Sequence, residues 1–230
     1  QGGLWTSEDR GYHWSKMEAL PEKYLTMVGQ SEDGSVLFVG TAGVTTMDGI
    51  QRGHGMYVSY DDGKTFEKLV MPESKHITEC RFPGLVPQRY DVTEDYIFVT
   101  FCNMGTNAYV FENGYSCDGG SVIDGHVVKY ILEKENGVTR IKGFEDITPM
   151  MDKDGVKEEG QVCDSTAACD STVAQKYDIL DFGFAGISAC IQKPGRLICS
   201  TISKEDGDCI YLSEDYGKTW EKILFDLSIG

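Results

Sequence analysis

Basic residues are scarce in this sequence. It has 21 Lys and Arg against 37 Asp and Glu, which gives a formal net charge of −16. Such an acidic surface repels phosphate backbones and anionic lipids, so we expect neither nucleic-acid nor membrane binding. No apolar run approaches the ~20 residues that a membrane-spanning helix requires. These absences leave neutral partners as the most plausible class.

Patterns for metal and cofactor binding are also missing. The eight cysteines include no Cys-x-x-Cys pair, and the four histidines (His13, His54, His76 and His126) are scattered, so zinc is not expected. The acidic stretch at 152–159 lacks the ligand spacing of an EF-hand. There is no glycine-rich phosphate loop and no Gly-x-Ser-x-Gly elbow. The sequence therefore predicts no metal, no cofactor and no catalytic triad.

Glycine is abundant although proline is rare. The 230 residues include 27 Gly, 6 Pro and 11% aromatic residues, a composition that favours short strands joined by tight turns. The proportions of hydrophobic residues (40%) and charged residues (25%) are those of a globular domain. The chain opens on Gln1 and stops at Gly230, directly after a strand-like segment. We therefore expect a piece of a longer protein.

One octapeptide occurs three times, beginning at Ser7, Ser59 and Ser213. It reads Ser-x-Asp-x-Gly-x-Thr-Trp/Phe, and only His13 departs from this template. Each copy follows one short apolar strand and precedes another, so it predicts a hairpin turn. In such a turn the Asp accepts backbone N–H groups, and the Gly supplies a positive φ. The hydroxyls tie the strand ends, and the aromatic packs inward.

The template residues are assigned a structural role. They are Ser7, Asp9, Gly11, Trp14, Ser59, Asp61, Gly63, Phe66, Ser213, Asp215, Gly217 and Trp220. Paired carboxylates perform glycoside hydrolysis, so a catalytic role for the three Asp residues was the alternative. Because the same Asp recurs in turn after turn, we interpret it as scaffold.

The octapeptide resembles the Asp-box, or BNR repeat, of sialidases and other β-propeller proteins. The first two copies start 52 residues apart, close to the length of a four-stranded propeller blade. The second and third copies start 154 residues apart, which leaves room for a blade without a box and an insertion. The resemblance predicts an all-β fold made of propeller blades.

The predicted organisation is about three and a half blades. It comprises a half blade (1–21), a blade (22–75), a blade with a long loop (76–150), an insertion (151–178) and a final blade (179–226). In the box-less blade, Asn136-Gly137 is an ordinary hairpin signal in place of the box. Closed propellers have about four to eight blades, so other blades are expected to complete the ring.

The connecting segments resemble glycoside hydrolase family 74, the xyloglucan-degrading endoglucanases. The residues that carry this resemblance are Phe182 to Ala189, followed by the hairpin Lys193 to Leu197. The order of the other parts also agrees, from Leu4-Trp5 at the first box to Asp146-Ile147-Thr148-Pro149. The chain looks like the second half of that family's first propeller.

This resemblance implies a mechanism whose chemistry lies elsewhere. The family has two seven-bladed propellers that face each other across a substrate cleft, and it hydrolyses β-1,4-glucans with inversion by means of two Asp residues. An inverting pair is spaced to admit a water molecule. Neither catalytic motif falls within 1–230, so no catalytic residue is assigned here. The implied partners are a neutral polysaccharide or oligosaccharide, the remaining blades and a second propeller.

Sugar contacts are predicted on the face opposite the box turns. There the loop from 103 to 124 combines aromatic and short polar side chains, the usual composition of a neutral-glycan site. The candidates are Asn103, Tyr109, Phe111, Tyr115, Asp118, Phe182, Lys204 and Glu205. The last two replace a Trp-Trp pair that the family often carries. A loop folded on its own aromatic residues is the alternative.

Two other functions stay open at this point. A sialidase-like exo-glycosidase needs an arginine cluster for the substrate carboxylate, and Arg occurs only six times. A non-catalytic propeller of the sortilin type would bind protein or glycan. The cysteine content is compatible with an extracellular protein. Cys190 and Cys199 flank a turn and could face each other across two strands, although reduced, core-packed thiols are the alternative.

Overall fold

The computed structural model of the chain describes residues 2–42, 53–72, 85–104, 109–110, 116–117, 122–149, 182–203 and 210–224. These residues form sixteen β-strands. The strands are β1 Trp5–Thr6, β2 Ser15–Lys16, β3 Leu25–Gln30, β4 Leu37–Ala42, β5 Gly53–Ser59, β6 Glu67–Leu69, β7 Val86–Val92, β8 Tyr96–Met104, β9 Tyr109–Val110, β10 Ser116–Cys117, β11 Val122–Glu135, β12 Val138–Asp146, β13 Phe182–Ala189, β14 Leu197–Ser203, β15 Ile210–Ser213 and β16 Glu221–Leu224. Within these ranges no helix is long and apolar enough to cross a membrane.

Three sheets have four antiparallel strands each. Blade 1 is β3-β4-β5-β6, blade 2 is β7-β8-β11-β12 and blade 3 is β13-β14-β15-β16. Strands β1 and β2 pair with each other to form the half-blade, and β9 pairs with β10. Neighbouring strands of each blade follow one another along the chain, which is the up-and-down order of propeller blades. The predicted all-β fold is confirmed.

The second strand of a blade is covered on both faces. All six residues of β4 are buried, and Ile97 to Val99 in β8 are at most 1% exposed. Because both faces of such a strand are covered, its sequence reads as a continuous apolar run rather than an alternating one. This explains why Leu37 to Val39 and Tyr96 to Phe101 were recognisable as strands.

The hydrophobic core lies between the blades. Phe38, Met56 and Val58 of blade 1 pack with Val99 and Tyr130 of blade 2. A second cluster joins blade 2 to blade 3, and a third joins the half-blade to blade 1. Burying one such large apolar side chain stabilises the fold by about 1.5–3 kcal/mol. Each blade is therefore held by contacts with its neighbours in the chain.

We call the face that a blade turns toward the preceding blade its leading face, and the opposite face its trailing face. On blade 3 the leading face carries Tyr211 and Trp220, which pack against Phe98 and Val127 of blade 2. On blade 1 the trailing face carries Phe38, which is fully buried against blade 2.

The box-less blade turns as its sequence predicts. Asn136 and Gly137 join β11 to β12 with positive φ angles of 52° and 81°. Two consecutive positive φ values characterise the type I′ hairpin, which Asn-Gly favours because neither residue pays a large steric cost there.

The expectation that Cys190 and Cys199 face each other is wrong. Cys199 lies opposite Ile187 in the β13–β14 ladder, whereas the Cys190 N–H donates to the Arg196 carbonyl at 3.0 Å. Both cysteines are free thiols, and burial raises the pKa of Cys199. They differ in position because Cys190 belongs to the turn and Cys199 to the buried strand. The predicted insertion 151–178, with Cys163 and Cys169, lies outside the described residues.

Candidate functional site

The second box shows how the template closes a turn. The Ser59 hydroxyl donates to Asp61 Oδ1 at 2.8 Å and accepts the Gly63 N–H at 2.9 Å. The two carboxylate oxygens of Asp61 accept the Thr65 N–H at 2.9 Å and the Thr65 hydroxyl at 2.7 Å. Gly63 has a φ of 78°. Every polar group of the template is thus used within the turn.

The third box repeats this geometry almost atom for atom. Ser213 Oγ lies 2.8 Å from both Asp215 Oδ1 and the Gly217 nitrogen. Asp215 accepts the Thr219 N–H at 2.8 Å and the Thr219 hydroxyl at 2.6 Å. The two turns share a mechanism because they share the template.

The first box keeps the mechanism despite its different residue. The His13 N–H donates to Asp9 Oδ1 at 2.8 Å, and the imidazole Nδ1 bonds to Asp9 Oδ2 in place of a threonine hydroxyl. The Ser7 hydroxyl accepts the Gly11 N–H at 2.7 Å. Trp14 is 59% exposed, and its indole N–H donates to the Gly11 carbonyl at 3.0 Å.

These contacts keep the box carboxylates ionised. Hydrogen bonds from Thr65, above all from its hydroxyl, lower the pKa of Asp61 from an ordinary 3.8 to about 2. The N–H of His13, followed by its imidazole, likewise lowers the pKa of Asp9. A general acid needs a raised pKa near the working pH. These carboxylates have the opposite shift, which agrees with a role as scaffold.

The boxes also join the blades. A Cβ placed on Gly63 would lie 2.8 Å from Met17 Sδ of the half-blade, and one on Gly217 would lie 2.5 Å from Ile147 Cδ1 of blade 2. The Trp220 indole N–H donates to the Ile147 carbonyl at 2.7 Å. Glycine at this position therefore serves both the turn and the close approach of the preceding blade.

The predicted sugar-binding residues belong to the other end of the blades, where β8 leads toward β11. Asn103 lies in β8 opposite Ile123, Tyr109 lies in β9 opposite Cys117, and Phe182 begins β13 opposite Ser203. The other candidates, Phe111, Tyr115, Asp118, Lys204 and Glu205, lie outside the described residues. Their role in binding stays a prediction. Phe184, two residues after Phe182, is fully buried in the core.

A buried polar network near this end escaped sequence analysis. His126 Nδ1 lies 2.7 Å from Asp146 Oδ2, and the imidazole is 5% exposed. Thr148 donates its N–H to Asp146 at 3.1 Å, and its hydroxyl accepts the Val127 N–H at 2.9 Å. Burial raises the pKa of Asp146, but the hydrogen bonds and charge of His126 and the bonds from Thr148 outweigh it, so the net shift is downward. The network ties the end of β12 to β11.

A more accessible polar cluster lies between the half-blade and blade 1. Glu22 accepts the Tyr57 hydroxyl at 3.2 Å and lies 3.0 Å from His54 Nδ1. Burial, followed by the charge and hydrogen bond of Glu22, raises the pKa of Tyr57. The partners are 32 and 35 residues from Glu22, so no local pattern could have found them.

A missed turn at the box end did leave a sequence signal. Ser31 donates to Asp33 at 2.7 Å, and the Thr139 hydroxyl of blade 2 donates to the second Asp33 oxygen at 2.7 Å. Hydrogen bonds, chiefly from the Ser35 hydroxyl, hold the pKa of Asp33 well below its usual range. The order Ser-Glu-Asp at 31–33 repeats the start of the first and third boxes.

Within the described ranges, no three His, Cys, Asp or Glu side chains come together as a metal site would require. The structure therefore offers no candidate metal ligands there. Both His–carboxylate contacts near the predicted sugar face join two side chains only, His54 with Glu22 and His126 with Asp146.

Comparison with known proteins adds a family and a fold. A family model described as the BNR-Asp box repeat matches residues 210–223, which hold the third box. No curated protein matches the chain. Among solved structures, a GH74 enzyme of Niastella koreensis is 18% identical and matches with a TM-score of 0.55, over 97% of this chain and 26% of that one. The chain therefore spans about a quarter of the length of that enzyme.

Two other solved structures are similar over a comparable part of the chain. A protein of unknown function from Dyadobacter fermentans is 17% identical, with a TM-score of 0.37, over 96% of this chain and 58% of that one. A sialidase of Trypanosoma rangeli is 11% identical, with a TM-score of 0.32, over 96% of this chain and 40% of that one. The GH74 likeness supports the propeller fold, and the family match supports the Asp-box.

Proposed function

We propose that this chain is the scaffold and part of the cleft wall of a glycoside hydrolase of the family 74 type, acting on a neutral β-1,4-glucan such as xyloglucan. The two catalytic Asp residues of an inverting mechanism lie outside 1–230. The parent protein is extracellular, as expected for an enzyme whose substrate is a polysaccharide. Its remaining blades and a second propeller complete the cleft.

One observation carries this proposal. A single GH74 enzyme matches 97% of the chain with a TM-score of 0.55, and the blades are held by the Asp-box that the sequence predicts. Because folds host many activities, the substrate class rests on a second argument from composition and charge.

The charge favours a neutral substrate over a sialic acid. The chain carries −16, and a carboxylate-bearing sugar needs several arginines that converge. Two of the six arginines are engaged elsewhere: Arg140 stacks on the Tyr60 ring at 4.6 Å, and Arg196 pairs with Glu214. A neutral sugar needs only aromatic faces and short polar groups, which the loop from 103 to 124 supplies.

In this proposal the chain binds and orients the polysaccharide. The rings of Tyr109, Phe111 and Tyr115 stack on the apolar faces of pyranose units, and Asn103 and Asp118 bond their hydroxyls. At the neighbouring blade, Phe182 contributes a further aromatic face, and Lys204 and Glu205 contribute polar groups. Proton transfer belongs to the carboxylates outside the chain.

Calorimetric titration with xyloglucan oligosaccharides tests the proposal. Tyr115→Ala is expected to weaken binding by about five-fold or more, because base and sugar stacking platforms are worth on the order of 1–3 kcal/mol. Tyr12→Ala is the matched control, since Tyr12 is 83% exposed in the first box turn at the other end of the blades. Both variants should melt like the parent chain.

The outcomes separate the rival functions. Binding of xyloglucan but not of sialyllactose supports the proposal, whereas the reverse would favour a sialidase-like protein. Failure to bind any neutral glucan would leave a protein-binding propeller as the better model. Release of reducing ends by the 230-residue chain alone would contradict the placement of both catalytic residues outside it.

A further inference from the structure

The half-blade and blade 3 have equivalent residues at equivalent places. Trp5 pairs with Lys16 in the β1–β2 ladder, and Tyr211 pairs with Lys222 in the β15–β16 ladder. Counted from the first Ser of each box, Trp5 therefore corresponds to Tyr211. By the same count Trp14 corresponds to Trp220.

Their surroundings are opposite. On blade 3, Tyr211 and Trp220 are 4% and 7% exposed because blade 2 covers the leading face. On the half-blade, Trp5 and Trp14 are 39% and 59% exposed. Among the described residues, the leading face of the half-blade is thus a blade-packing surface without its blade.

The trailing face of blade 3 is open in the same way. Ile198 corresponds by register to Phe38 of blade 1, since Leu197 and Leu37 both pair with the first Ser of a box. Phe38 is fully buried against blade 2, whereas Ile198 is 41% exposed. Ile223 is 43% exposed, although Leu69 at the same position of blade 1 packs into the cluster between blades 1 and 2.

We propose that these two faces bind each other in separate molecules, so that the chain associates head to tail with a second copy of itself. The leading face of one copy, with Trp5 and Trp14, covers the trailing face of the next, with Ile198 and Ile223. The argument is one of complementarity, because faces of these two kinds already pack together where the half-blade meets blade 1 and where blade 1 meets blade 2. A second copy presents the matching face with no further component.

The internal junctions specify the contact. Met17 of the half-blade lies over Gly63 of the second box, and Ile223 is the residue of blade 3 that corresponds to Met17. Ile223 of one copy therefore lies over Gly11 of the next. Such an interface joins two different patches, so it is heterologous and leads to chains or rings of copies rather than to a symmetric dimer.

Net charge opposes this association in a measurable way. Each copy carries −16, so long-range repulsion weakens docking at low ionic strength. The contact itself is apolar and is not screened by salt. We therefore expect association to strengthen from about 20 mM to about 300 mM salt, as the Debye length shortens.

Complementary blocking variants test the proposal in the complete 230-residue chain. Trp14→Lys blocks the leading face, and Ile223→Lys blocks the trailing face. In analytical ultracentrifugation the parent chain should form species larger than a monomer as concentration rises. Each variant alone should associate at least ten-fold more weakly, because chains longer than two copies need both faces. An equimolar mixture should form a one-to-one dimer through the two faces that remain intact.

The controls keep the test decisive. Ile191→Lys changes an isoleucine that is 66% exposed in the turn after β13, and it should associate like the parent. If Trp14→Lys does not fold, Trp5→Lys blocks the same face. A parent chain that stays monomeric at all concentrations and salt levels overturns the proposal, and the open faces then await a blade from another chain segment. Association that neither blocking variant weakens also overturns it. The outcome does not depend on any glycan, so it is independent of the proposed enzymatic role.

Discussion

At the scale of single residues, the serine that begins each box is the most enclosed polar group of the turn. Ser59 is 1% exposed and Ser213 is fully buried, and each hydroxyl both donates to the Asp and accepts a glycine N–H. A buried donor that loses its acceptor keeps its desolvation cost. The serine therefore matters more than its small size indicates.

Ser59→Ala is expected to lower the free energy of unfolding by about 1–3 kcal/mol, because the Gly63 N–H is left without its acceptor in a buried position. Urea denaturation measures the change. Ser15→Ala, at an exposed strand position, is the control and should stay within about 0.5 kcal/mol of the parent. Equal effects at both positions would contradict this account of the box.

The Asp61 carboxylate makes a prediction about pH. Its pKa is lowered in the folded state from 3.8 to about 2, so the unfolded state binds protons more readily than the folded state across that interval. The stabilisation is fully present above about pH 4 and is lost as the pH falls through about 2. Asp61→Asn should therefore flatten the fall of melting temperature between these values. Asp62→Asn removes a charge one residue away and should preserve the fall.

At the scale of elements, a turn is tested by comparing two glycines with similar backbone and different neighbours. Gly137 and Gly217 have φ angles of 81° and 86°. A Cβ on Gly137 meets nothing within 4 Å, whereas a Cβ on Gly217 would lie 2.5 Å from Ile147 Cδ1 and 2.8 Å from Ile147 Cβ. The difference between them isolates the approach of blade 2 to the third box.

Gly137→Ala should cost about 1–2 kcal/mol from backbone strain alone. Gly217→Ala should cost a further 1–3 kcal/mol or so, because the added methyl group overpacks a junction that cannot relax freely. Thermal and chemical denaturation of the two variants give the comparison. If both cost the same, blade 2 does not press on this turn in the way the structure indicates.

At the scale of the whole molecule, stability is a sum over junctions between neighbouring blades. Blade 2 contacts blade 1 through one cluster and blade 3 through another. In such a quasi-linear arrangement each unit depends on its neighbours, and damage to one junction weakens distant units less than adjacent ones.

Trp220→Ala should remove about 3–5 kcal/mol, since a large side chain leaves a cavity and the Ile147 carbonyl loses its donor. Hydrogen exchange should accelerate in β13 to β16 and in β12, while β3 and β4 keep most of their protection. Uniform acceleration across all blades would show a single cooperative unit instead. Trp14→Ala is the matched variant, and its exposed ring should cost far less.

The sequence determined the features whose partners are close in the chain. All contacts of Asp61 inside its box are with residues at most four positions away, so the turn could be predicted from the template alone. The same holds for the Asn136-Gly137 hairpin. The buried strands Leu37 to Val39 and Tyr96 to Phe101 were equally visible, because a strand covered on both faces carries an unbroken apolar run.

Long-range placement was decided only by the tertiary structure. Asp33 meets Thr139 across 106 positions, and His126 meets Asp146 across 20, and neither pair has a local signature. Trp14 and Trp220 make the point most directly, since both end the same octapeptide and one is exposed whereas the other is buried. Local sequence sets the turn in both cases. Burial depends on whether another blade lies against that face, because the hydrophobic effect acts on surface that a neighbour removes from water.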